Sequence, residues 1–347
     1  MFLICVMIEK ILRICPIENL ELKIPAKVIQ SWIKENIILI ILLLPFLFSC
    51  RKKIENGQET IWQRSPNLKL IAKPVPPFKA YSDPVYSPSG KIYYLAAYKI
   101  NEGMWVKQAL KVINIDGTGD RILLQGNFQC LDISPRYDRL IIGTDDGKLI
   151  LVDTSGSVIS EYKTFFHYDS VCIICVRYSC SDSYVYYTGG LGSIFRMNLI
   201  DSTEEFIQAE SSPFDLICPY NRIFRSLGFT GDGGWPSVFS DSFFVATYFN
   251  TPDLIDLTPE GEENQYVLMG LLKDPQNVIR LNEIKPYEKS TFYRPIFSPD
   301  GKKLIFSAYD ARWEQNPHSR FYLAEYLELW IYEKFDELVE KYFGKRR

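Results

Sequence analysis

The sequence predicts an all-β fold assembled from repeated antiparallel units. Three observations carry that reading. Aromatic residues make up 14% of the 347 residues, with 22 Tyr and 22 Phe, and such side chains suit a pleated, half-buried surface. The turn formers Gly and Pro contribute 20 each, enough to punctuate many short strands. A strand–turn–strand motif centred on a serine recurs along the body, the mark of a repeat architecture.

Composition narrows the classes further. The chain is 47% hydrophobic and 23% charged with a formal net charge of −3. That excludes a disordered or collagen-like chain and a multi-span membrane protein. It also argues against nucleic acid as a partner, which calls for an excess of positive charge. Only 2 His are present, His167 and His318, which limits histidine-based catalysis and metal binding.

Residues 1–49 read as a leader. Ile37–Phe48 (IILIILLLPFLF) carries no charge and follows Lys27 and Lys34, the order of a secretory signal. The run is too short for a comfortable span of about 20 residues, and Pro45 interrupts it. It ends Leu47-Phe48-Ser49-Cys50, followed by Arg51-Lys52-Lys53. This resembles the lipobox of bacterial lipoproteins: Leu at −3, a small residue at −1, then the lipid-bearing Cys. The resemblance implies cleavage before Cys50, lipidation of its thiol, and an extracytoplasmic place in the bacterial cell envelope. The membrane is then one partner, held through acyl chains worth about 0.8 kcal/mol per buried CH₂. The alternative is a signal anchor with an incidental Cys50. On that resemblance, residues 28–49 read as the signal peptide. Residues 1–27 read as a start-site artefact, with translation from near Val28, or as a short amphipathic segment.

Residues 50–80 form a tether and a strand. Asn67–Lys73 (NLKLIAK) alternates apolar and polar positions, as a half-buried strand does. Pro74–Pro77 then stiffens the chain.

Residues 81–334 hold the repeat. Pro84–Ala96 (PVYSPSGKIYYLA) matches Pro295–Ser307 (PIFSPDGKKLIFS), with weaker copies at Leu131–Gly143, Val176–Tyr187 and Ser237–Ala246. The repeated serine falls at 87, 134, 179, 240 and 298. In the turn, Pro presets φ, Asp bonds its own backbone and Gly accepts positive φ. Further strands follow at Leu110–Ile115 and Arg121–Leu124, at Lys148–Asp153 and Val158–Tyr162, and at Ser193–Asn198 and Glu205–Gln208. Four strands per unit of about 40–50 residues is the pattern of a propeller blade.

The core F-S-P-D-G-K-x-[LI]-x-F resembles the repeat of TolB-like, WD-type β-propellers. The resemblance implies a closed β-propeller of four-stranded blades, five repeats being visible and six blades the alternative count. It also implies a protein-binding scaffold whose partner is an envelope protein. Closure is expected from Asn67–Lys73 pairing beside Leu327–Tyr332. Asp83 and Arg294, each four residues before the repeated serine, hold equivalent positions in the first and last blades, and their opposite charges hint at five-fold closure. Residues 335–347 read as a C-terminal helix and tail, with Phe335, Leu338, Val339, Tyr342 and Phe343 at helical spacing.

Site chemistry is sparse. Cys172 and Cys175 have C-x-x-C spacing, but on a strand residues three apart face opposite ways. Cys130 and Cys175 share a repeat position and read as small core residues; a disulfide and a metal site are the alternatives. Gly228–Trp235 (GFTGDGGW) reads as a long loop, and its Phe229, Asp232 and Trp235 are the candidate partner contacts. Asp116–Asp120 reads as a turn, with weak Ca²⁺ binding as the alternative. His167 reads as a loop histidine. No catalytic set, metal or cofactor is assigned. The second functional reading is a secreted carbohydrate-active glycosidase or lyase with Asp83 and Asp132 in a central channel.

Overall fold

The computed structural model describes residues 63–101, 104–169, 171–189, 193–209, 214–218, 221–224, 236–239, 242–247, 267–288, 290–310 and 327–344. Residues 1–62, the leader and the start of the tether with Cys50, lie outside them. The described chain begins with β1 (Leu68–Ala72). It continues through a meander of seven antiparallel strands: β2 (Ala80–Tyr86), β3 (Lys91–Asn101), β4 (Met104–Asn114), β5 (Arg121–Ile133), β6 (Arg139–Thr144), β7 (Lys148–Asp153) and β8 (Val158–Lys163). A one-turn helix, α1 (Phe165–Tyr168), leads to a four-stranded sheet of β9 (Ile173–Tyr178), β10 (Tyr184–Gly189), β11 (Ser193–Asn198) and β12 (Glu204–Ala209). β13 (Asp215–Ile217) and β14 (Arg222–Phe224) pair by themselves. β15 (Ser237–Phe239), β16 (Phe243–Ala246), β17 (Leu268–Leu271) and β18 (Asp274–Arg280) form the next sheet. The last sheet has the order β1-β21-β20-β19, from β19 (Ser290–Phe297), β20 (Leu304–Asp310) and β21 (Glu328–Tyr332), and α2 (Phe335–Phe343) follows it.

This arrangement corrects the expected propeller. The described residues form five separate antiparallel sheets of two to seven strands with two short α-helices, not a closed ring of equal four-stranded blades. The physical reasons are local. β5 runs unbroken for 13 residues, so the last strand of the first expected unit and the first strand of the second are one strand. Those two units therefore share a seven-stranded sheet. Between the third and fourth serines the chain instead inserts the β13–β14 hairpin, which no repeat motif marks. His167 sits in α1 rather than a loop, and its Nδ1 lies 2.8 Å from the Asp146 carbonyl.

The repeated serines explain the hairpins. Ser87, Ser134, Ser179 and Ser298 are all buried. In each, the backbone N–H donates across the turn, to the carbonyls of Lys91, Arg139, Tyr184 and Lys303 respectively. Each hydroxyl oxygen also accepts a turn N–H, from Lys91, Tyr137, Tyr184 and Lys303. One side chain thus satisfies polar groups that would be costly to bury unpaired.

The cores lie between the sheets. Phe243, Phe292, Phe297, Phe306 and Trp330 form the largest, and α2 closes it with Phe335, Leu338 and Val339. Burial of each such side chain stabilises by roughly 1.5–3 kcal/mol. The strand at β1 covers the other edge through its antiparallel ladder with β21, Leu68 opposite Tyr332 and Leu70 opposite Trp330.

Candidate functional site

Six strands, β2, β5, β9, β13, β15 and β19, present their residues to one cleft of about 480 Å³. Its exposed end is rimmed by Pro88, Pro135 and Pro299, each just after a repeated serine. Its buried end holds Asp83 and Arg294, with side chains 1% and 11% exposed. Between them lie Asp132, Arg177 and Asp215.

The buried end is built from an unusual backbone. Asp83 and Arg294 both adopt left-handed conformations, with φ of 54° and 45°. Each precedes a proline, and each sits where the ladder slips, between Ser82 and Val85 and between Tyr293 and Ile296. A bulge at such a slip re-aims a side chain, and non-glycine residues at positive φ gather at functional or strained sites. Here the two re-aimed side chains meet: Arg294 Nη1 pairs with Asp83 Oδ1. Lys107 Nζ lies 2.6 Å from Asp83 Oδ2, which also accepts from Ser82 Oγ at 2.7 Å. Burial alone would raise the Asp83 pKa; the Arg294 and Lys107 charges outweigh it and hold the carboxyl below its ordinary value. Arg294 Nη2 donates to the Ile174 carbonyl at 3.1 Å, joining β19 to β9.

The middle of the cleft carries a second set of charges. Arg177 Nε donates to Asp215 Oδ1 at 3.1 Å, and Nη1 to the Val176 carbonyl at 2.8 Å. Asp215 Oδ2 accepts from the Val238 N–H at 2.6 Å, which ties β13 to β15. Asp132 Oδ2 accepts from the Tyr178 N–H at 2.7 Å, which ties β5 to β9. Removal from water pushes the Asp132 carboxyl up to about 6, against the pull of Arg177. Asp215 is raised for the same reason.

These positions settle several expectations. Asp83 and Asp132 do share the cleft, but Asp83 is locked between two cations. The carboxylate pair of a channel glycosidase is therefore not formed. Asp83 and Arg294 pair, but the five-fold closure that their opposite charges suggested is not formed among the described residues. Cys130 and Cys175 are buried thiols, each donating to a carbonyl of the next sheet, Ile173 and Phe214. Cys172 is also free. Cys180 and Cys218 form a disulfide that fastens β13 to the turn after β9. Asp116 Oδ1 accepts from Thr118 within its turn, while Asp120 pairs with Lys111 at 2.6 Å. Among the described residues no His, Cys, Asp and Glu cluster is arranged to hold a metal ion, and no helix is long and apolar enough to cross a membrane. Phe229, Asp232 and Trp235 fall outside the described residues. Sequence reasoning missed Arg177 and Asp215. Asp132 and Arg177 both stand two residues before the repeated serine, a shared position that could have found Arg177; no comparable signal marks Asp215.

No protein-family model matches the chain, and no curated protein matches it. Among solved structures the chain is similar to a luciferin-regenerating enzyme, with a TM-score of 0.51, 8% identity, and coverage of 76% of this chain and 94% of the enzyme. It also matches a streptogramin B lyase with a TM-score of 0.47, 9% identity, and coverage of 76% of this chain and 96% of the lyase. The first is a likeness of fold alone; the second carries no argument. Five separate sheets among the described residues do not make the closed ring of a TolB-like or WD-type repeat protein, so that resemblance is corrected too. With it go the functions that depended on a propeller, the envelope scaffold and the channel glycosidase or lyase.

Proposed function

We propose that the protein is an exported solute-binding protein, tethered by a lipid on Cys50 to the extracytoplasmic side of a bacterial membrane, and that the cleft is its binding site. The observation that carries the reading is the cleft itself. Its volume of about 480 Å³ is in the range of small-ligand sites, and apolar lining with a few placed polar groups is their usual chemistry. The charges in it are positioned by backbone bonds between neighbouring strands rather than left to mobile side chains. The Cys180–Cys218 disulfide supports export, because such bonds persist in oxidising compartments. The lipobox at Leu47–Cys50 supports the anchor. An envelope protein that delivers or receives the solute is the partner this reading expects.

Two experiments test it. Metabolic labelling with a palmitate analogue is expected to mark the wild type in the membrane fraction and not Cys50→Ala; equal labelling contradicts the anchor. Melting temperatures of the full-length protein in detergent, with millimolar L-leucine, glucose, succinate or choline, test the cleft. At least one solute is expected to raise the wild type, since a ligand at about 100 times its Kd adds about 2.7 kcal/mol. The same solute is expected to leave Arg177→Met unmoved. No shift with any solute, or equal shifts in both proteins, contradicts the site.

A further inference from the structure

Resting on the cleft being the binding site, we infer that its ligand class is a small zwitterion, a free α-amino acid with an apolar side chain. The argument begins with which charges are already committed. At the buried end, Asp83 is shared by Arg294 and Lys107, and Arg294 also reaches the Ile174 carbonyl. That end is a closed network and a floor. In the middle, Arg177 uses Nε and Nη1 for protein partners, which leaves the Nη2 edge for an incoming acceptor among the described residues. Among the described residues Asp132 makes no ion pair; its carboxylate accepts from the Tyr178 N–H, at 2.7 Å, and from the N–H of Ile133.

That bond also fixes where the two groups stand. Tyr178 directly follows Arg177, so the Asp132 carboxylate lies against the strand that carries the guanidinium. A carboxylate and a guanidinium, each with unused capacity, are thus held side by side on two neighbouring strands. An α-amino acid offers the reverse pair, an ammonium and a carboxylate separated by a single carbon. Its ammonium would meet Asp132 and its carboxylate Arg177, where guanidinium geometry favours a planar, two-oxygen acceptor. An anion without the ammonium would face Asp132 and Asp215, and an amine without the carboxylate would face Arg177 and Arg294. The cleft penalises each and accepts both charges together. Toward the rim the lining turns apolar, through Ile296, Pro88, Pro135 and Pro299, and takes an aliphatic side chain.

The test is a calorimetric titration of the full-length protein in detergent with L-leucine, N-acetyl-L-leucine and L-leucinamide. The expected result is binding of L-leucine, with each blocked form about tenfold weaker or more. Asp132→Asn keeps the shape of the wall and is expected to bind leucine and N-acetyl-leucine within about twofold of each other, with leucinamide still the weaker. Arg177→Met is expected to erase the distinction between leucine and leucinamide instead. If either variant melts far below the wild type, the ratio among the three ligands on the wild type alone decides. Equal affinity for all three, with Arg177→Met weakening them together, overturns the zwitterion and leaves the cleft as the site. Failure of all three to bind also overturns the zwitterion; if glucose, succinate and choline fail as well, the cleft reading falls with it.

Discussion

Asp132 shows how one side chain ties stability to site chemistry. Its carboxyl has an ordinary value of 3.8 and is pushed to about 6 by burial, against the attraction of Arg177. The folded protein therefore binds a proton more readily than the unfolded chain between those two values. Stability contributed by this group is present at low pH and is lost as pH rises through the window. Asp132→Asn stays neutral throughout, so the variant is expected to lose less stability than the wild type between pH 4 and 7. The difference is on the order of 1 kcal/mol once partial exposure is discounted; parallel melting curves across that range would contradict it. A second residue-scale expectation concerns the turns. Ser298 accepts from the Lys303 N–H at 3.0 Å and donates to Asp300 at 2.6 Å. Ser298→Ala strands a buried N–H and is expected to cost about 1–2 kcal/mol by chemical denaturation; a cost near zero would show that the hydroxyl is dispensable to the turn.

At the scale of elements, the legible and the illegible parts of the chain separate cleanly. Hairpins were legible because their signal is local: Pro, Asp and Gly in a turn, flanked by β-branched and aromatic residues. The turn glycines Gly90 and Gly301 do take positive φ, 84° and 66°. The strand at Asn67–Lys73 and its partner at the far end of the chain were legible from alternation and apolar content. What was not legible is how hairpins join. The fusion through β5 leaves no mark, because a strand that serves two units looks like two strands with a short gap. The β13–β14 hairpin is only three residues per strand, too short for a periodic signal. That hairpin nonetheless supplies Asp215 to the cleft, and Cys180–Cys218 holds it. The disulfide spans 38 residues, a loop whose closure is worth about 4 kcal/mol in the chain-entropy account. Reduction is therefore expected to lower the melting temperature by several degrees, and Cys180→Ser with Cys218→Ser to match the reduced wild type; an unchanged melting curve would mean that Arg177 and Val238 hold the hairpin unaided.

For the whole molecule, six strands drawn from all five sheets contribute to one cleft. No single sheet could supply its lining, so the site exists only once distant parts of the chain are assembled. That explains why the sequence exposed candidate residues without exposing the site: Asp83, Asp132, Arg177, Asp215 and Arg294 span more than half the chain. The fold-level resemblance misled at this scale, since a shared turn motif specifies hairpins and says little about how many sheets they make. The claim that unites the scales is that this cleft takes a solute between Asp132 and Arg177. Its most direct test is a two-dimensional amide spectrum of ¹⁵N-labelled full-length protein in detergent, titrated with L-leucine. The expected result is saturable movement of resonances from β5, β9 and β13, centred on Asp132, Arg177 and Leu216. Saturable shifts confined to the outer strands β8 and β12, or none at all, would contradict it.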